Sequence, residues 1–386
     1  MKAIKVITIV CWVVVAATLL GLAGWFLSGT MFGLRPAWMD RNIPFSVGIV
    51  GVETLSGPFN VVGQHSADPA GINTLNVNWI SGAVTITPHD GQMIEITESA
   101  QRDLHDDERM YIDVSGGTLE IRFLDRRIAN RMGRMPQKRL EVLVPRALSE
   151  SLNLLEVGSV SGRVSIDQMI VDHVDVGTTS GAIEITNIIA REVDLNSTSG
   201  RIEIENVTAD NIGLDSTSGA MRVHASGAER MELDTLSGAI SVTDASAVSL
   251  ILDTTSGGVS AVGTFDSVSA NSLSGAISID NAAISSVIDA RSTSGALRLS
   301  GTFHRIDAGT LSGAVTIRSI IVPASINANS TSGRISITVP DEGSITVSHS
   351  STSGRFNSEI PVMIQNRDGQ FTLSTLSGNI NIYELR

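Results

Sequence analysis

The residue types best suited to binding metal are the seven histidines and the acidic side chains that recur along the chain. Acidic and amide side chains form two columns at outward positions of the strands predicted below. The first column is Glu156, Asp175, Asp194, Glu232, Asp289 and Asp307, and the second is Asn196, Asp215, Asp234, Asp253 and Asn271. Stacked carboxylates suit Ca²⁺, but the glycine-rich nonapeptide of calcium-binding β-rolls is missing. The histidines show no ligand-like spacing. We predict no metal site and interpret the acidic columns as a solvated polar face.

A basic segment between residues 122 and 139 is the second place where chemistry is expected, because Asp125 is its only acid. Its basic residues are Arg122, Arg126, Arg127, Arg131, Arg134, Lys138 and Arg139. The planar guanidinium of arginine binds phosphate through two parallel hydrogen bonds. We hypothesise that this segment binds anions such as lipid head groups or an anionic wall polymer. The alternative is a flexible charged loop.

Catalysis is not expected from these residue types. Parallel-strand solenoids include polysaccharide lyases and hydrolases, whose sites need clustered carboxylates, basic residues and aromatic platforms for sugar rings. No tryptophan follows Trp79, Tyr111 and Tyr383 are the only tyrosines, and Lys138 is the only lysine after residue 5. The net charge of -13 disfavours nucleic acid as a partner, and the single Cys11 excludes a disulfide framework. We predict no enzyme, no catalytic residues and no cofactor.

The elements that position these side chains follow from an internal repeat of about 19 residues centred on Ser-Gly. Its glycines are Gly162, Gly181, Gly200, Gly219, Gly238, Gly257, Gly275, Gly295, Gly313, Gly333, Gly354 and Gly378. Successive intervals are 19 five times, then 18, 20, 18, 20, 21 and 24. An apolar residue precedes each glycine by seven positions without exception. One corner of the repeat is therefore fixed, whereas the segment after the glycine accepts insertions.

Residues 193–207 show why each repeat is strand, turn and strand. Val193–Ser197 alternates apolar and polar residues, which is the period of a half-buried strand. Thr198-Ser199-Gly200 supplies a bend in which glycine is able to adopt positive φ without a Cβ clash, and Arg201–Glu205 alternates again. We predict an all-β fold, a parallel β-helix-like solenoid whose core exists only in the stack. The residue before Ser-Gly alternates between Thr and Leu, so two repeats per coil remain an alternative to one.

The N-terminus carries Lys2 and Lys5, followed by an uncharged apolar run from Val6 to Leu27. A helix of this length rises about 33 Å and can cross a bilayer core. We predict an uncleaved signal anchor, a single transmembrane helix, with a cleaved signal peptide as the alternative. The two lysines favour a cytoplasmic N-terminus, which places the bulk of the chain outside the cytoplasm at the cell membrane.

Four segments follow from these patterns. We predict the signal anchor over residues 1–34, a linker over 35–45, an irregular β cap of degenerate repeats over 46–150, and a regular solenoid of about twelve repeats over 151–386. An atypical terminal segment is expected because the open end of a stack must be covered.

Two motifs resemble the bacterial putative adhesin family, whose members carry β-strand repeats behind a membrane anchor. They are Thr198-Ser199-Gly200-Arg201-Ile202-Glu203-Ile204 and the preceding Leu140-Glu141-Val142-Leu143-Val144-Pro145. The resemblance covers about residues 46–386, implies the fold and brings no functional residues with it.

The favoured function is that of a non-enzymatic, membrane-anchored extracytoplasmic solenoid, an adhesin or envelope scaffold, that binds through many weak contacts. Expected partners are the membrane, through its single span, and a cell-wall polymer, lipid head groups or an envelope protein. The first alternative is an envelope-stress or regulatory sensor that binds a partner protein at its cap. A carbohydrate-active enzyme is the less favoured alternative.

Overall fold

The computed structural model describes residues 51–52, 57–124, 134–343, 345–365 and 370–386. The predicted signal anchor and linker lie outside these residues. In the described part of the chain, no helix combines the length and the apolar character needed to cross a bilayer. The described residues belong to one compact unit, Val50–Arg386.

Almost all regular structure in this unit is β-strand. The N-terminal strands are β1 (Gly51–Val52), β2 (Asn60–Ala67), β3 (Thr74–Trp79), β4 (Val84–His89), β5 (Ile94–Ala100), β6 (Tyr111–Ser115), β7 (Thr118–Arg122), β8 (Arg134–Met135) and β9 (Lys138–Pro145). They are accompanied by a 3₁₀ turn, Asp106–Glu108, and by the one-turn helix α1, Arg146–Ser149.

The remaining strands form the regular array. They are β10 (Leu152–Ser159), β11 (Val164–Asp167), β12 (Ile170–Thr178), β13 (Ile183–Thr186), β14 (Ile189–Ser197), β15 (Ile202–Glu205), β16 (Thr208–Ser216), β17 (Met221–His224), β18 (Gly227–Thr235), β19 (Ile240–Thr254), β20 (Val259–Ser272), β21 (Ile277–Ser292), β22 (Leu297–Thr310), β23 (Val315–Ser319), β24 (Ser325–Ser330), β25 (Ile335–Val339), β26 (Ile345–Ser351), β27 (Phe356–Ser358), β28 (Val362–Ile364), β29 (Phe371–Thr375) and β30 (Ile380–Glu384).

Each repeat makes one complete coil. Val174 of β12 pairs with Val193 of β14, and Val193 pairs in turn with Ile212 of β16, all in parallel. The second strand of each repeat is in the same register, with Ile183 opposite Ile202. The pairing partner is therefore one repeat away, which excludes two repeats per coil. The predicted all-β solenoid with repeats of about 19 residues is confirmed.

The core lies inside the stack and is built from the alternating apolar positions. Val193, Leu195, Ile202 and Ile204 are all completely buried, and their counterparts in neighbouring coils lie directly above and below. Full burial of such a side chain contributes about 1.5–3 kcal/mol relative to exposure. Because these partners come from other coils, no repeat can obtain this stabilisation alone.

The glycine corner differs from the sequence-based expectation in its physical cause. The twelve Ser-Gly glycines of the regular array, all of which are described, do not use the positive φ open to glycine: their φ values lie outside the left-handed region. Glycine is required because the coils approach closely. A Cβ on Gly200 would lie 1.7 Å from the carbonyl oxygen of Gly181, and the same contact recurs along the stack.

A Ser or Thr three residues before each glycine, buried in every case except the half-buried Ser216 and Ser351, completes this corner. The Gly275 amide donates to Ser272 Oγ at 2.7 Å, and Ser272 Oγ donates to the Gly257 carbonyl of the adjacent coil at 3.3 Å. Thr310 repeats the pattern with Gly313 and with the preceding coil. The hydroxyl group thus satisfies one polar group of its own coil and one of its neighbour, which buried backbone groups require.

The opposite corner explains the variable repeat length. Gln168, Asn187, Asn206, Ala225 and Asp244 occupy this corner at 19-residue intervals, all with φ between 48° and 57°. In the next coil the register shifts by one residue, because Thr243 pairs with Val262 but Ala245 pairs with Gly263. Deletion of this left-handed residue gives the 18-residue repeat. This change in repeat length therefore occurs at the corner opposite the Ser-Gly pairs.

Both ends of the stack depart from sequence order. At the N-terminal end, β3 lies between β7 and β10, although β7 follows β3 in the chain. At the C-terminal end, Phe371 of β29 pairs with both Ile326 of β24 and Val347 of β26. The last strands of the chain are therefore inserted between two earlier coils. Antiparallel strands close the N-terminal end, with β5 on β9, β2 on β5 and β6 on β7.

Candidate functional site

A ridge of small polar and apolar side chains runs along the glycine corner. The serine before each array glycine is exposed, and its hydroxyl commonly donates to a carbonyl of the adjacent coil, as Ser199 does to Thr179 at 3.2 Å. The residue before that serine alternates between Thr and Leu from coil to coil over much of the stack. Leu273, Leu311 and Leu376 are 52%, 54% and 55% exposed.

The alternation along this ridge follows the spatial order of the coils and not the order of the sequence. Thr331 and Thr352 are successive in the chain, but Leu376 lies between them in the stack. The insertion of the C-terminal coil therefore restores a regular Leu and Thr pattern that the sequence alone interrupts. The ridge is a highly repetitive surface of the described chain. It consists of the following residues, each with the serine after it: Leu236, Thr255, Leu273, Thr293, Leu311, Thr331, Leu376 and Thr352.

The acidic column formed by Asp215, Asp234 and Asp253 is continuous, because these residues are in register on neighbouring strands. Burial raises the pKa of Asp234 to about 7, and repulsion from Asp253 and Asp215 adds to the shift. Burial, followed by repulsion from Glu232 and Asp194, raises the pKa of Asp215 to about 6. The column is therefore partly protonated at neutral pH and less charged than its composition indicates.

A histidine and two carboxylates meet on the same sheet face. His173 Nδ1 lies 3.0 Å from Glu192 Oε2, and His173 Nε2 lies 3.6 Å from Asp194 Oδ2. Sequence reasoning missed this group because it compared the histidines only with one another. Comparison of each histidine with the acids one repeat away would have found the pair, since His173 and Glu192 are 19 residues apart.

The basic segment is dispersed in the described residues. Arg122 forms an ion pair with Glu120 and lies over the Tyr111 ring at 4.7 Å, and Arg139 lies over the Phe59 ring at 3.9 Å. The Arg134 backbone belongs to β8, which pairs with β1. Arg126, Arg127 and Arg131 lie outside the described residues. For these arginines, anion binding stays a prediction.

Lys138 does not belong to an anion-binding surface, because it is completely buried. Its Nζ lies 2.6 Å from Glu98 Oε1 and also donates to the carbonyl oxygens of Glu108 and Phe123. Burial lowers the pKa of Lys138 to about 8, and the Glu98 carboxylate opposes that shift. The Trp79 and Phe123 rings complete its surroundings. Lys138 therefore holds the N-terminal cap together from inside.

A shallow groove of about 620 Å³ lies at the same end of the stack. Its walls come from the loops before β3, after β4 and around α1, including Asp68, His89 and Leu148. An ion pair between Arg146 Nε and Asp90 Oδ1, at 3.1 Å, joins two of these loops. The groove is a concave surface of the cap.

The family model described as Toastrack DUF4097 matches this chain twice, over residues 72–264 and 228–383. No curated protein matches the chain. The predicted resemblance to a bacterial family of adhesin-like β-strand repeats is confirmed at the level of this family.

Among solved structures, a putative cell adhesion protein from Clostridium sporogenes is 9% identical with a TM-score of 0.25, over 85% of this chain and 100% of its own. A putative adhesin from Parabacteroides distasonis is 11% identical with a TM-score of 0.33, over 84% and 98%. A putative lipid binding protein from the same species is 16% identical with a TM-score of 0.27, over 86% and 100%. The two family matches together span most of the chain, and the chain belongs to the Toastrack DUF4097 family.

Proposed function

We propose that this protein is a non-enzymatic, membrane-anchored extracytoplasmic solenoid that binds an extended envelope or surface polymer through many equivalent contacts. The observation that carries the proposal is the Ser, Thr and Leu ridge at the glycine corner. Its serine recurs with every coil, about 4.8 Å apart, and its Leu and Thr each recur with every second coil, so a ligand with its own repeat meets the same side chains many times. Contacts that are individually weak then add through effective concentration.

The chemistry of the ridge favours a hydroxyl-rich polymer. Exposed serine and threonine hydroxyls exchange hydrogen bonds with hydroxyl groups, and the exposed leucines, such as Leu273 and Leu311, offer apolar contact to sugar ring faces. A cell-wall polysaccharide has both features. Adhesion and envelope scaffolding use the same surface, and they differ in whether the polymer belongs to another cell or to the same cell.

Membrane anchoring belongs to this proposal and rests on the sequence alone. The uncharged run from Val6 to Leu27 is long enough for one span, and Lys2 and Lys5 favour a cytoplasmic N-terminus. Membrane extraction tests this part: the anchored protein resists washing with carbonate and with high salt. Release of the chain by either wash overturns the anchor.

Coil deletion tests the binding proposal. Removal of residues 220–257 joins Gly219 to Gly258 and takes out two whole repeats of the ridge, those of Leu236 and Thr255. In the full chain, solubilised in detergent, we expect weaker binding to isolated cell-wall polysaccharide after this deletion. In the undeleted chain, Leu→Thr changes at Leu273, Leu311 and Leu376 are also expected to weaken binding to the polysaccharide.

The control is Ser115→Ala, which removes an exposed hydroxyl group of the cap, outside the ridge. Unchanged affinity after the coil deletion, or affinity that depends only on residues 57–150, would contradict multivalent binding. The second outcome would instead favour a regulatory sensor whose partner occupies the groove in the cap.

A further inference from the structure

Four residues of metal-binding type occupy adjacent outward positions on two paired strands. His173 and Asp175 alternate with buried residues on β12, and Glu192 and Asp194 do the same on β14. The register places His173 opposite Glu192 and Asp175 opposite Asp194. Neighbouring strands are about 4.8 Å apart, and alternate residues of one strand about 6.8 Å apart, so four side chains rise from the corners of a small rectangle.

The donor atoms of three of these residues are already at distances suitable for one ion. One ligand atom each from His173, Glu192 and Asp194 lies within 4.8 Å of the others. Ligand bonds of about 2.0–2.2 Å place neighbouring donor atoms of a tetrahedral metal about 3.3–3.6 Å apart. The 3.6 Å separation of His173 Nε2 and Asp194 Oδ2 fits this range, and Glu192 must turn from Nδ1 toward the same nitrogen to close the site.

Two features surround the group of His173, Glu192 and Asp194. The nearest arginine on β14, Arg191, makes a two-pronged ion pair with Asp172 at 2.9 and 3.0 Å. In the next coil, Gly213 stands opposite Asp194, and a Cβ there would lie 2.9 Å from Asp194 Oδ1. The missing side chain leaves room for the carboxylate to turn.

We infer that His173, Glu192 and Asp194 bind a divalent transition-metal ion of the zinc type. Imidazole nitrogen together with carboxylate oxygen suits Zn²⁺, Ni²⁺ and Co²⁺, whereas Ca²⁺ prefers oxygen ligands alone. A single ring nitrogen of His173 bonds the ion, so one carboxylate gives up its present contact with the ring to become a ligand. With three protein ligands on an open sheet face, water or a ligand group completes the shell.

Such an ion would cross-link two successive coils at one outer face of the stack. The inference does not depend on the proposed adhesive role, since the ion is held by this chain's own residues. It adds a positive, exchangeable coordination position to a face that is otherwise acidic, and a carboxylate or phosphate group of a partner could occupy that position.

Metal titration of the untagged full chain tests the inference. We expect Zn²⁺ to bind with one equivalent per chain at this site by isothermal titration calorimetry, and Co²⁺ to give visible absorption bands of nitrogen and oxygen coordination. His173→Gln and, independently, Glu192→Gln are expected to weaken Zn²⁺ binding by about tenfold or more. Both residues are solvent-accessible, so circular dichroism of the variants should match that of the unmodified chain.

The matched control is His224→Gln, because His224 is also exposed on the array and has one carboxylate, Asp244 Oδ2, at 3.7 Å. This variant is expected to bind Zn²⁺ with unchanged affinity. Equal Zn²⁺ binding in His173→Gln and in the unmodified chain overturns the site. Equal weakening in His224→Gln also overturns it, because binding would then be a general property of surface histidines. A third result would also overturn it: the chain binds Zn²⁺ no more tightly than Ca²⁺, and His173→Gln leaves Ca²⁺ binding unchanged. The cluster would then be an ordinary part of the acidic face.

Discussion

Substitution of Gly257 by alanine measures how closely the coils approach. A Cβ there would lie 1.7 Å from the carbonyl oxygen of Gly238, whereas real Cβ atoms essentially never come closer than 3.0 Å. The two coils must separate locally by about 1.3 Å. That movement breaks the bonds from Thr254 Oγ1 to Gly238 and from Ser256 to Leu236, now 3.4 and 3.1 Å long, and a neighbouring backbone bond. At about 1 kcal/mol each, the expected loss is about 3 kcal/mol.

The adjacent glycine is the control for this substitution. A Cβ on Gly258 would have its nearest contact at 3.8 Å, an ordinary distance, and its φ is not positive. Gly258→Ala is therefore expected to change the free energy of unfolding by less than about 0.5 kcal/mol. The pair differs by one position in the chain and by about 3 kcal/mol in expected cost.

Hydrogen exchange is the suitable assay, because a stack of coils need not unfold in one step. In Gly257→Ala, the Ser256 amide and those around it should lose protection, while amides several coils away keep theirs. Urea unfolding followed by circular dichroism gives the global cost. Equal protection in Gly257→Ala and the unmodified chain, or equal loss in Gly258→Ala, would refute close backbone approach as the reason for glycine.

Three further predictions concern polar groups. Ser272→Ala removes an acceptor and a donor at the glycine corner and is expected to cost about 1–2 kcal/mol in urea unfolding; a neutral result would contradict the role of this hydroxyl. The pKa of Asp234 is raised in the folded chain from 3.8 to about 7, so the folded state holds the proton more tightly and stability falls as pH rises through this window. Asp234→Asn should therefore stabilise the chain at pH about 8 by on the order of 1 kcal/mol and have little effect near pH about 4, as thermal unfolding at both values would show. Lys138→Met leaves the buried Glu98 without its ionic partner and is expected to lower the free energy of unfolding by about 3–5 kcal/mol. Adding Glu98→Gln should restore much of this loss in the double variant. Additive losses from the two changes would contradict the coupling between them.

The fold could be predicted from the sequence because its cause is local and repeated. Apolar residues such as Val193 and Leu195 alternate with polar ones in every unit, and a Ser-Gly pair follows at a fixed distance. A pattern repeated this often leaves few other ways to bury the apolar face. The number of repeats per coil could not be decided, since the alternation of Thr and Leu is compatible with either answer.

The order of the terminal coils could not be predicted, because it depends on which distant strand is the better partner. Nothing local in Phe371–Thr375 distinguishes it from strands that stack in order. One signal was present: the Thr and Leu alternation breaks at Thr352 and is restored when Leu376 moves one place earlier in the stack.

The candidate sites were harder to predict, because they depend on contacts across coils. His173 and Glu192 meet only once the register is known. Lys138 was grouped with surface arginines on sequence proximity, although it faces inward in strand β9, whose residues alternate in burial. A lysine at an inward position of an alternating strand was the available sign that it needed a buried acid, which Glu98 provides.

The interleaved ends determine where this array can change length during evolution. Near the C-terminus, β29 is held on both sides by strands that precede it in the chain, and β3 is held comparably near the N-terminus. A gene duplication that appended a repeat at either end would have to displace a strand that is already paired twice. A duplication of one or more whole repeats between Leu152 and Val339 meets no such obstacle, because each new coil presents the same register to both neighbours. Family members of different lengths should therefore differ in the number of central coils and keep both closures.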